Sequence, residues 1–115
     1  MAWEVEVSDE FGDWYAGLSI AEQLSVAAGV GMIGRYGPGL ARPYVDTLKG
    51  SAFPNMKELR VQHHGRPFRI LFAFDPRRSA YLIIGGDKTG DKNWYFEAIH
   101  RADVIYAQHL KEIGE

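Results

Sequence analysis

Apolar and polar positions alternate with period two over three consecutive stretches, and those stretches predict an antiparallel meander. From Lys57 to His64, Leu59, Val61 and His63 fall on one face, with Glu58, Arg60, Gln62 and His64 on the other. From Phe68 to Phe74, Phe68, Ile70, Phe72 and Phe74 share one face, and Arg69, Leu71 and Ala73 share the opposite one. Ala80 to Ile84 is apolar on both faces, as a central strand covered on both sides requires. Gly65-Arg66-Pro67 predicts the first turn. Asp75-Pro76-Arg77-Arg78 predicts the second, with Asp and Pro at the positions a type I turn favours.

The remaining patterns predict elements that cover this meander. Trp3 to Val7 alternates and reads as a short strand. Ser8 or Asp9 can cap a helix in which Phe11, Trp14, Tyr15 and Leu18 form an apolar stripe. Ser19-Ile20-Ala21-Glu22 is a capping-box sequence opening a second helix over Ile20 to Tyr36. Its expected packing face is Ile20, Leu24, Ala27, Ala28 and Ile33, and Gly29, Gly31 and Gly34 either need tertiary support or fray it after Ala28. Leu40 to Asn55, with Pro43, Gly50 and Pro54, reads as a linker whose Tyr44, Val45 and Leu48 tuck under the sheet. Ile99, Ala102, Ile105, Tyr106, Leu110 and Ile113 recur at helical spacing, predicting a last helix from Asn93 to Ile113. The expected architecture is α+β in two layers, a single domain over residues 1–115, with the first strand beside the last.

Composition narrows the class. There is no cysteine, so disulfides and thiolate metal sites are excluded; this suits a reducing cytoplasm. The acidic, alternating start is wrong for a signal peptide, and no apolar run approaches the ~20 residues of a membrane span. The net charge of -2 conceals segregation. Residues 1–56 hold three Lys/Arg against seven Asp/Glu; residues 57–92 hold eight against four, a net of +4 on the meander. Screening limits each charge to about 8 Å, so a local basic face can bind phosphates whatever the total.

Candidate chemistry lies on that face. Arg60, Gln62 and His64 on one strand and Arg69 on the next form a cationic patch. Arg69, between Phe68 and Ile70, is costly to hold in mid-strand without a partner or a task. Lys88, with Trp94 or Tyr95 beyond it, adds a cation and a ring for stacking a base. Lys57, Arg66, Arg77, Arg78 and Lys92 extend the basic surface. GGDKTG lacks the spacing of a nucleotide-binding phosphate loop. His63 and His64, adjacent on a strand, point to opposite faces and do not chelate one metal.

The stretch KELRVQHHGRPFRILFAFDPRRSAYLIIGGDKTGDKNWY, with DTLKG upstream and ADVIYAQHL downstream, resembles the toxin subunit of RelE/ParE-type toxin–antitoxin pairs, in particular the phage-derived HigB-like branch. The resemblance implies ribosome-dependent, metal-independent cleavage of messenger RNA without a cofactor. It also implies inhibition by a cognate antitoxin of helix-turn-helix type. Carried over by position, it assigns catalytic roles to Arg60, Arg69, Lys88 and Tyr95, with Trp94 beside Tyr95. Glu58 departs from the family pattern, which has a cation on this strand, and His64 becomes the candidate base. The same superfamily includes gyrase-directed toxins, so a non-catalytic binding protein is the alternative.

Overall fold

A computed structural model describes residues 2–115. Its elements follow in the order β1 (Val5–Val7), α1 (Asp9–Ala16), α2 (Ile20–Tyr36), β2 (Val45–Thr47), β3 (Lys57–His63), β4 (Arg66–Phe74), β5 (Ala80–Asp87) and α3 (Trp94–Glu112). The strands form one five-stranded sheet in the order β1-β5-β4-β3-β2. β1 runs parallel to β5 and the other neighbours are antiparallel. The α+β meander and the placing of the first strand beside the last are as expected.

The sheet is covered on both faces, giving three layers rather than two. Leu59, Val61, Phe68, Ile70, Phe72 and Leu82 pack with Phe11, Val26 and Ile33 of the helical hairpin. Leu71, Ala73, Ile83 and Ile84 pack with Ala98, Ala102 and Tyr106 of α3. This division follows from strand alternation, with one interruption. Leu71 pairs with Ile84 but Phe72 pairs with Leu82, so Ile83 is an extra residue and two consecutive isoleucines face α3.

The helices begin where their caps direct. Ser8 Oγ accepts from Phe11 N at 3.0 Å and donates to Ile83 O at 2.6 Å, tying the start of α1 to β5. In the capping box, Ser19 N donates to Glu22 Oε1 at 2.7 Å and Glu22 N to Ser19 Oγ at 3.1 Å. α2 continues unbroken through its glycines because the sheet requires one of them: a Cβ on Gly29 would meet Val61 Cγ2 at 2.9 Å. The packing face is therefore Val26, Gly29, Val30 and Ile33. Ile20, Leu24, Ala27 and Ala28, expected inside, are exposed.

Two further expectations change. Residues 45–47 are not linker but the edge strand β2; Val45 and Leu48 are buried, whereas Tyr44 is exposed. The first hairpin turns at His64-Gly65, both at positive φ (48° and 78°), so His63 pairs with Arg66. A two-residue turn of this sign matches the twist of the flanking strands. No helix among the described residues is long and apolar enough to cross a membrane.

Candidate active site

The hairpin register sets Arg60 opposite Arg69. Like charges directly across a strand pair repel, so this pairing needs an anion between the two guanidinium groups. Glu58, two residues earlier on the same face, supplies it. Its Oε1 lies 3.3 Å from Arg69 Nε and its Oε2 lies 3.6 Å from an Arg60 terminal nitrogen. The Arg69 and Glu58 side chains are only 13% and 7% exposed, so this is a largely desolvated pair and each group depends on the other.

Tyr95, at the start of α3, closes the cluster from above. Its hydroxyl donates to Glu58 Oε1 at 2.6 Å and accepts from Arg69 Nε at 3.2 Å. Burial pushes the Tyr95 phenol above its ordinary pKa and the bond to Glu58 adds to this, with Arg69 acting in the opposite direction. Lys88, just past β5, places Nζ 5.7 Å from the centre of the Tyr95 ring. Arg69 also donates to Phe68 O at 2.9 Å, which fixes the guanidinium against its own strand.

On the β2 side, Asp46 Oδ2 receives Arg42 Nε at 3.0 Å and an Arg60 nitrogen at 3.4 Å. Burial works against the Asp46 charge, but the bonds from Thr47 N and Arg42 outweigh it and hold the carboxyl below the usual range. Arg60 Nε is buried with no hydrogen-bond partner among the described residues. Glu58 and Tyr95 line a cleft of about 500 Å³ together with Asp46, Leu48 and Ile99, so the carboxylate and the hydroxyl face solvent there, whereas Arg60, Arg69 and Lys88 lie outside its lining. The arrangement offers a carboxylate to take a proton, fixed cations for a phosphate, and a hydroxyl beside both.

Of the residues expected to act, the structure brings Arg60, Arg69, Lys88 and Tyr95 together. Trp94 is adjacent, its ring lying over Gly86, where a Cβ would meet Trp94 Nε1 at 2.5 Å. His64 does not join them. It sits in the exposed hairpin turn beyond the end of β3, because the turn falls one residue earlier than the sequence suggested. For the same reason its ring lies 4.4 Å from that of His63 rather than on the opposite face. His63 is buried and hydrogen-bonded to Ser25 Oγ at 2.7 Å, a packing role.

The outer basic residues divide. Lys57, Gln62 and Lys92 lie at the surface around the meander. Arg66 is held by Glu22 and lies over the Phe68 ring, tying the hairpin to α2. Arg77 and Arg78 stand at the far end, in the β4–β5 turn. There Arg77 bridges Glu6 and Asp75, and Arg78 covers the Trp3 ring at 5.0 Å. They form no part of the Arg69 cluster. The residue sequence reasoning missed is Glu58, set aside as a departure from a pattern. The signal was present, since a carboxylate two residues before Arg60 on one strand face must lie beside it.

The fold is that of the RelE-type toxins. Free E. coli toxin RelE, carrying two arginine-to-alanine substitutions, superposes with a TM-score of 0.64 at 13% identity over 88% of this chain and 98% of that one. The RelE–RelB complex of Pyrococcus horikoshii gives 0.57 at 12% identity over 78% and 99%. Sequence then identifies the branch. The family described as "Phage derived protein Gp49-like (DUF891)" matches residues 13–107. Two Mycobacterium tuberculosis proteins match at higher identity. "Putative toxin HigB2" is 40% identical over all of this chain and 58% of its own length, and "Putative toxin HigB3" is 46% identical over 78% of each. The chain thus spans little more than half of the first of these relatives. It belongs to the phage-derived Gp49-like family, in its HigB-type branch.

Proposed function

We propose that the chain is the toxin of a toxin–antitoxin pair, acting in the cytoplasm as a ribosome-dependent, metal-independent endoribonuclease on messenger RNA. The observation that carries this reading is the Glu58–Arg69–Tyr95 cluster flanked by Arg60 and Lys88, with Glu58 and Tyr95 facing one cleft. Glu58 takes the proton of the ribose 2′-OH as that oxygen attacks the adjacent phosphorus. Arg69 and Arg60 hold the phosphoryl oxygens as negative charge accumulates on them, and a guanidinium does this in a fixed fork. Lys88 gives a proton to the departing 5′-oxygen. The products are a 2′,3′-cyclic phosphate and a 5′-hydroxyl. Tyr95 positions the Glu58 carboxylate, and Trp94 offers a face for a base.

This reading replaces His64 with Glu58 as base, because His64 lies in the turn outside the cluster whereas Glu58 touches Arg69 and Tyr95. The relatives named as toxins and the RelE neighbour solved with RelB support a toxin with an antitoxin partner. One observation favours a non-catalytic binder instead: Glu58 and Asp46 already neutralise Arg69 and Arg60. Inducing the chain alone in bacteria and mapping 5′ ends of cellular messages against ribosome position separates the two. New 5′-hydroxyl ends inside translating ribosomes are expected. Intact messages with falling DNA synthesis would support the gyrase-directed alternative.

A further inference from the structure

The opposite end of the molecule has a cleft of about 610 Å³ between the β1–α1 corner and the C-terminal half of α3. Its apolar floor is open to solvent, with Val7 50% and Val104 62% exposed and Ile113 alongside. Its rim is acidic. Asp9 and Glu10 come from the first turn of α1, and Glu112 comes from the last residue of α3. Arg77 is the only Lys or Arg on the lining, and Glu6 and Asp75 already engage it. Asp9, Glu10 and Glu112 are thus left with no cation beside them among the lining residues.

The negative field there is concentrated. Burial pushes the Tyr81 phenol upward, and the charges of Glu10, Glu112, Asp9 and Glu6 all add to it. Glu112 stands at the negative end of its own helix, where a carboxylate is unfavourable. A cation arriving from outside relieves the Glu112 charge and the mutual repulsion of the rim carboxylates. A polyanion is repelled, so neither RNA nor an anionic lipid surface suits this cleft.

We infer that this cleft docks a cationic, amphipathic segment of the protein partner, its apolar stripe against Val7 and Val104 and its Lys or Arg side chains on the acidic rim. The inference rests on the reading above only in taking that partner to be the antitoxin. The cleft and the catalytic cluster lie at opposite ends of α3, where His109 and Tyr95 are about 21 Å apart at 1.5 Å per residue. Docking there leaves the Arg69 cluster uncovered, so docking and cleavage are separately measurable.

The test is a titration of the isotope-labelled full chain, followed by amide NMR shifts, with two synthetic helical peptides. Both carry the same leucine stripe; one is flanked by Lys and Arg, the other by Glu. The cationic peptide is expected to shift amides of residues 7–10 and 104–113, with affinity that falls as salt rises. The double variant Glu10→Lys/Glu112→Lys, both exposed positions, should bind it at least ~10-fold more weakly while melting like the parent. Equal binding to the variant, equal binding of the acidic peptide, shifts centred elsewhere, or no shift at about 1 mM peptide would each overturn the inference. Message cleavage is scored separately: if the chain fails to cut RNA but docks the peptide, the enzymatic reading fails and this one stands.

Discussion

Tyr95 donates its hydroxyl proton to Glu58 across a 2.6 Å bond, and so joins the first turn of α3 to the buried carboxylate of β3. The bond determines how the site is built. Glu58 separates two arginines that the sheet register forces together, and Tyr95 fixes which oxygen faces Arg69. The residues proposed for catalysis therefore also hold the fold together there, and activity and stability must be measured side by side.

Arg69→Ala should destabilise the domain, although the side chain carries no apolar packing load. Glu58 would remain buried with its principal cation gone, a change that typically costs about 3–5 kcal/mol. Combining Arg69→Met with Glu58→Gln should recover most of that loss, because no uncompensated charge remains. Urea unfolding of the single and double variants reads this directly. A single variant within about 0.5 kcal/mol of the parent would mean the pair is effectively solvated.

Gly86→Ala should disturb the site without touching any charged group. The new Cβ would lie 2.5 Å from Trp94 Nε1, so the indole must move off β5 and take the start of α3 with it. Overpacking of this kind costs about 1–3 kcal/mol. A lower melting temperature with a shifted tryptophan emission is expected. An unchanged melt and spectrum would place the Trp94 ring elsewhere.

Glu22 should titrate far below a normal glutamate, at about 2 rather than 4.5. The backbone bond from Ser19 is the largest cause, followed by the side-chain bond from Arg66. Because the folded value lies below the unfolded one, this contribution is complete above about 4.5 and is lost as pH falls through about 2. Arg66→Ala should raise the Glu22 value part of the way, read by carboxyl NMR titration. No change would show that Arg66 does not rest on Glu22.

Tyr95→Phe should flatten the alkaline limb of the stability curve. The folded Tyr95 phenol is raised by burial first and by Glu58 second, so folding holds its proton where the unfolded chain has begun to lose it. Its contribution is complete below the ordinary value of about 10 and is lost as pH rises through the folded value. The variant should also lose about 1.5–3 kcal/mol near neutrality, the worth of a hydrogen bond to a charged group. Parallel pH–stability profiles for parent and variant would contradict the bond.

Most of the architecture was legible because the meander alternates cleanly and its neighbours begin at strong caps, Ser8 and Ser19. What was lost has identifiable causes. α2 is apolar or small on every side, so its pattern could not show that Gly29, by lacking a Cβ, faces the sheet while Leu24 faces water. β2 has only three residues between Pro43 and Gly50, too short to display a period. His64 was misplaced because His64-Gly65 can turn as readily as Gly65-Arg66-Pro67, and a one-residue shift at the turn takes His64 off the strand altogether. The arginines and Tyr95 were visible as candidates, but Glu58 was not. Its importance comes from the cross-strand register, which places it between two positive charges, and register is a tertiary fact.

The most direct test of the central claim is message cleavage by purified protein on programmed ribosomes. The variants Glu58→Gln and Arg69→Lys suit it because each keeps a hydrogen-bonding partner for the residue left behind. The parent should cut within the ribosome and leave 5′-hydroxyl ends. Each variant should be slowed about 100–1000-fold while remaining folded, and Arg77→Gln, at the far end of the sheet, should cut at the parent rate. A folded Glu58→Gln protein that cuts as fast as the parent would remove Glu58 from the chemistry, and a parent that leaves every message intact would contradict the enzymatic account itself.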